Sequence, residues 1–130
     1  MIQRFVELGS GYGDLYELIE LAKANSSRLR HIIAFHTAIE GKQVVSLAII
    51  LDPAGEGKFQ PIYICREGIP NPKVIPNKRY TLFEETAANL SKTICELTVK
   101  PSTLFADKEL YYQYLIGILR LNHFIPPLHW

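Results

Sequence analysis

Gly9, Gly11 and Gly13 stand between a β-like run and a helix-like run, where nucleotide-binding domains carry a phosphate-cradling loop. A dinucleotide fingerprint places its third glycine one position later than Gly13. Asp14 follows at once, and a carboxylate at a helix N-terminus repels a phosphate and competes for the free amides. The glycine run therefore reads as a flexible turn. His31, His36, His123 and His129 show no metal-ligand spacing, and the odd separation of His31 from His36 sends them to opposite faces of a strand. Cys65 adjoins Arg66, whose guanidinium would activate a thiol it touched, but strand neighbours also point apart. Cys65 and Cys95 both read as buried, slowly reacting free thiols, and the residues offer no metal centre and call for no cofactor.

Binding chemistry is concentrated in one segment. Over residues 64–79, Arg66, Lys73, Lys78 and Arg79 against Glu67 leave a local charge of +3. Pro70, Pro72 and Pro76 interrupt regular structure there, so a loop is expected over residues 67–79. A basic, proline-stiffened loop suits capture of a small anionic ligand or a partner protein by Arg66, Lys73, Lys78 and Arg79. If the chain returns to the sheet, Arg66 and the Lys78-Arg79 pair converge into an anion site; the plainer alternative is a solvated crossover. Tyr111, Tyr112 and Tyr114 on the last helix, with Trp130 in the tail, form a second candidate surface, because tyrosine and tryptophan are enriched at interfaces. The same residues can instead complete their own core.

Strands are expected over residues 2–8, 29–39, 43–51 and 58–66, from their β-branched and aromatic content. Glu40-Gly41-Lys42 and the segment 52–57 serve as hairpin joints of an antiparallel meander. Apolar residues at helical spacing predict helices over 15–24, capped by Asp14, over 82–95, capped by Thr81, and from Asp107 to about Leu121. A short strand over 96–100 ends at Pro101. The result is an α+β domain over residues 1–130, in the order β-α-β-β-β-α-β-α. Its sheet of four to five strands is mixed and mainly antiparallel, with helices packed on it.

The 130 residues suit one hydrophobic core, and the formal charge of +1 provides no overall field for nucleic acid. Two cysteines are too few for a disulfide-built secreted scaffold, and the N-terminus lacks a secretory signal pattern, so a cytoplasmic protein is expected. No apolar run approaches bilayer-spanning length.

The order helix, three strands, helix, strand resembles the core of restriction-endonuclease-like nucleases. That resemblance implies metal-dependent cleavage through an acidic residue on the second core strand and a Glu-x-Lys on the third. Here Glu40-Gly41-Lys42 and Glu56-Gly57-Lys58 both fall in turns. The phrases Tyr63-Ile64-Cys65-Arg66-Glu67-Gly68-Ile69-Pro70-Asn71-Pro72, Lys100-Pro101-Ser102-Thr103 and Glu109-Leu110-Tyr111-Tyr112-Gln113 resemble a family of short uncharacterised proteins of Gram-positive spore-forming bacteria. Some members carry a methylthioribose kinase label, which implies a sugar substrate and ATP. This chain has neither the length nor the glycine loop, lysine and aspartates of such a kinase. The residues favour a non-enzymatic binding or regulatory module, with a homodimer open to it. The alternative is an enzyme, either a degenerate nuclease or a small-molecule transferase using the glycine turn.

Overall fold

The computed structural model describes residues 3–9 and 12–126. Runs rich in Ile, Val and Phe form five strands, β1 (Gln3–Gly9), β2 (Leu29–Ile39), β3 (Lys42–Leu51), β4 (Gln60–Pro70) and β5 (Ile94–Thr98). Helices α1 (Tyr12–Ala24), α2 (Lys78–Asn89) and α3 (Lys108–Leu121) complete the expected order β-α-β-β-β-α-β-α. The strands make one mixed sheet in the order β1-β4-β3-β2-β5. β3 is antiparallel to both neighbours, while β1 pairs with β4 and β5 with β2 in parallel. Four strands thus point one way, and their carboxyl ends share one edge of the domain, the side on which open sheets of this kind hold ligands.

Ile39 pairs with Lys42, so the β2-β3 joint has two residues, Glu40 (φ 50°) and Gly41 (φ 79°). Both take the left-handed conformation of a type I′ turn, whose twist matches that of the strands. β3 is buried on both faces from Val45 to Leu51, which accounts for its nearly continuous apolar sequence. One sheet face carries Ile32, Ala34, Leu47, Ile49 and Cys65 beneath α1 and α2. The other carries Ile33, Phe35, Ala48, Ile50, Ile62 and Ile64 beneath Tyr111, Leu115 and Leu119 of α3. Each such aliphatic side chain, once fully buried, contributes about 1.5–3 kcal/mol.

Several boundaries differ from expectation for local reasons. α1 starts at Tyr12, so Asp14 lies within the first turn instead of capping it. Its carboxylate stands against Gly9 (φ 101°), where an added Cβ would lie 2.8 Å from Asp14 Oδ2. α2 starts at Lys78, because Asn77 Oδ1 accepts the Tyr80 N–H at 2.8 Å, and the Thr81 hydroxyl donates to the Asn77 carbonyl instead of capping. It ends at Asn89. Ser91 turns left-handed (φ 57°) and the Lys92 N–H closes on the Ala87 carbonyl at 2.8 Å, a Schellman-type stop. That stop frees Ile94 and Cys95 to open β5. β4 runs on to Pro70, so Arg66 and Glu67 are strand residues and the irregular loop shrinks to residues 71–77.

Candidate functional site

Loop 71–77 is held in place by its two asparagines. The Asn71 N–H donates to the Gln43 carbonyl of β3 at 3.1 Å, while the Asn71 carbonyl accepts from the N–H groups of Val74 (3.0 Å) and Ile75 (2.8 Å). Its side-chain oxygen takes the Lys73 N–H at 2.9 Å. Asn77 Nδ2 donates to the carbonyls of Pro70 (2.9 Å) and Ile75 (3.1 Å), tying the end of the loop to its start. A loop so braced holds its side chains in fixed directions. Yet Val74 is 61% and Ile75 56% exposed, with the exposed Lys73 and Lys78 on either side. Arg79, half-buried in the first turn of α2, makes contacts of its own.

Clefts border the loop on both sides. One, of about 490 Å³, lies between Pro76, Lys78 and Tyr16 of α1. Two more, of about 560 and 570 Å³, share Lys73 and Glu96; the first lies at the carboxyl ends of β2 and β5, the second between α2 and the amino half of β5. In the first of this pair His36 Nε2 sits 3.0 Å from Glu96 Oε1, and the buried Thr37 hydroxyl has no hydrogen-bond partner among the described residues. Burial and the nearby Glu96 and Glu84 carboxylates push the Tyr80 hydroxyl up to about 12.

Arg66 is not brought to Lys78 and Arg79. It lies on the α3 face of the sheet, 3.2 Å from Glu7 Oε1, whereas α2 packs on the opposite face. Lys108 Nζ approaches the other Glu7 oxygen at 3.4 Å. Beside them Glu67, at φ 52°, accepts the Ser102 N–H at 3.1 Å and the Ser102 hydroxyl, and its own N–H donates to Ser46 Oγ at 2.8 Å. The carboxylate thereby joins the bulge in β4 to the link between β5 and α3. Glu67→Ala is expected to cost about 1–2 kcal/mol in urea unfolding by stripping the half-buried Ser102 donors of their acceptor, and Glu67→Gln clearly less. Equal losses would mean that charge, not acceptance, matters. Nothing local in the sequence marked Glu7, Glu67 and Ser102, because only the pairing of β1 with β4 and the path from β5 to α3 bring them together.

The tyrosines face inward. Tyr111 is fully buried, Tyr112 stacks on Phe5 at 4.6 Å between centroids, and the Tyr114 hydroxyl accepts the Lys100 N–H at 3.0 Å. Tyr111 therefore belongs to the chain's own core and offers no contact surface. Trp130 and His129 lie outside the described residues.

A family model, Domain of unknown function (DUF7147), matches residues 1–125. The chain belongs to the DUF7147 family. No curated protein and no solved structure matches it. Among the described residues of this DUF7147 chain no helix is long and apolar enough to cross a membrane, and no three His, Cys, Asp or Glu side chains gather as a metal-holding group.

Cys65 and Arg66 lie on opposite sheet faces. Burial, reinforced by Asp14 and Glu17, pushes the Cys65 thiol up to about 12 from an ordinary value of 9.0. A folded-state value above the unfolded one gives stability that is whole below about pH 9 and lost as pH rises towards 12. Tyr80, raised from 10.0 to about 12, acts in the same sense. The urea midpoint should hold up to about pH 8 and fall steeply by about pH 11. Native Cys65 should resist alkylation at neutral pH. A flat profile with rapid labelling would show an accessible thiol.

Proposed function

We propose that the protein is a cytoplasmic, non-enzymatic binding module that docks a partner protein through loop 71–77. The observation that carries this reading is the pairing of a braced backbone with an exposed apolar tip. Holding Val74 and Ile75 in water costs solvation without benefit to the fold, and a loop ordered beforehand loses little entropy on docking. Lys73 and Lys78 beside the tip, with Arg79 behind it, favour a partner that offers an apolar pocket rimmed by acidic side chains. The clefts on either side leave room for that rim.

A second reading places a small anionic ligand in the cleft lined by His36, Asn71 and Lys73, where it would meet the lysine charge. The enzyme alternatives have less support. Glu40 lies in the two-residue turn and Lys42 at its edge, and the Asp14 carboxylate fills the space beside Gly9 that a phosphate would need.

The experiment compares two baits in quantitative affinity capture, the wild type and Val74→Asp/Ile75→Asp. A partner held by the first and released by the second supports the reading. An unchanged set of partners overturns it.

A further inference from the structure

We infer that an extended peptide segment of a partner, acidic at both ends and uncharged in the middle, adds to the sheet alongside β5. This strand closes one side of the sheet and pairs with β2 alone. The Val99 N–H donates to the His36 carbonyl at 2.9 Å, and main-chain groups alternate in direction along a strand. Cys95, Leu97 and Val99 therefore face β2, while the N–H and C=O groups of Ile94, Glu96 and Thr98 point away from the sheet. Such an outward row of donors and acceptors is a template for one kind of guest, another extended backbone.

The space beside β5 suits a single strand. The two clefts that share Lys73 and Glu96 together follow β5 from Ile94 to Thr98. Tyr80, Glu84 and Ala88 of α2 form the far wall of the second. Ile94 packs on the α2 side of the sheet, so alternate side chains of an added strand enter the cleft opposite that wall. A second copy fits this edge poorly. A two-fold that overlaps the whole of β5 with itself sets Glu96 directly against its own counterpart, and like charges opposed across a ladder repel.

Charge selects the guest. Lys73 lies where the two clefts meet and Lys92 at the other end of the second, and neither forms an ion pair among the described residues. Between them Glu84 stands on the helix, one turn from Tyr80 and one from Ala88, so the middle of the guest carries no acid. Glu96 is already matched by His36 Nε2 at 3.0 Å. From beside Lys92 to beside Glu96 is four strand steps, about 13 Å. The guest is thus five residues long, with acids at its first and fifth positions and an uncharged residue at its third. Val74 and Ile75 line neither cleft, so this contact does not depend on the loop tip.

The test follows the backbone amides of the full chain by NMR as two acetylated, amidated pentapeptides are added, DTVTD and the charge-reversed KTVTK in one-letter code. In the free protein the amides of Ile94, Glu96 and Thr98 should exchange openly with solvent. DTVTD should shift and protect these three amides with a Kd of about 1 mM or below, and KTVTK should bind at least about tenfold more weakly. Thr98→Pro removes an outward N–H and no bond to β2, so this variant should fold and lose at least about tenfold in affinity. Val74→Asp/Ile75→Asp should bind DTVTD as the wild type does, which separates this site from the loop tip. The inference is overturned by the absence of any shift at about 5 mM DTVTD, or by equal binding of KTVTK. Undiminished binding to a folded Thr98→Pro protein also overturns it, as does a free protein whose outward amides are already protected in a dimer.

Discussion

Tyr111→Ala is expected to cost about 3–5 kcal/mol, as for other large aromatic truncations in packed cores, whereas Tyr111→Phe should cost less than about 1 kcal/mol. Tyr111 is fully buried, and its ring meets those of Phe105 and Tyr112, both at 5.5 Å. Truncation leaves a cavity at the centre of the α3 face, between the helix and Phe35, Ile50 and Ile64. The hydroxyl is another matter. It is buried without a well-formed hydrogen bond among the described residues, and burial together with Glu67 raises its pKa, with Ser46 opposing only in part. Removing it therefore sacrifices little. A loss of 3–5 kcal/mol is a large part of the whole for a domain with about 5–15 kcal/mol in hand. Urea unfolding followed by circular dichroism measures both variants. If phenylalanine costs as much as alanine, the hydroxyl is bonded and packing does not account for the tyrosine.

The strands and the α+β order were legible because β2, β3 and β4 carry dense β-branched sequence between short turns, and local chemistry fixes such elements. The second helix was misread by several residues. Thr81 with Glu84 mimics a capping box, and the true cap, Asn77, is hidden among prolines. Arg66 was legible as a cation but not as a paired one, since Glu7 reaches it only through the parallel pairing of β1 with β4. The tyrosines suggested an outer surface because composition does not reveal orientation. Tyr111 lies one position from the exposed Leu110, and that single helical step separates core from surface. Of the candidate site, the sequence marked the loop and its cations. It did not reveal that Asn71 and Asn77 would brace the backbone and leave Val74 and Ile75 outward.

Val74→Asp/Ile75→Asp should weaken partner binding about 100-fold, taking about tenfold for each apolar side chain withdrawn from the partner's pocket. Stability should change by no more than about 0.5 kcal/mol, as both side chains are largely exposed and the loop's hydrogen bonds come from asparagines and backbone. Lys73→Ala and Lys78→Ala should have smaller effects that shrink with added salt, as expected for charges at a solvated rim. The separation of the two readouts matters, since a variant that merely unfolds would lose binding and stability together.

The most direct measurement places a photo-crosslinking side chain at position 75 and, as a control, at the exposed position 56 in the loop between β3 and β4. Irradiation in cells should join position 75 to one dominant protein and leave position 56 without it. Equal labelling from both positions, or an adduct from position 56 alone, would contradict a docking site at loop 71–77.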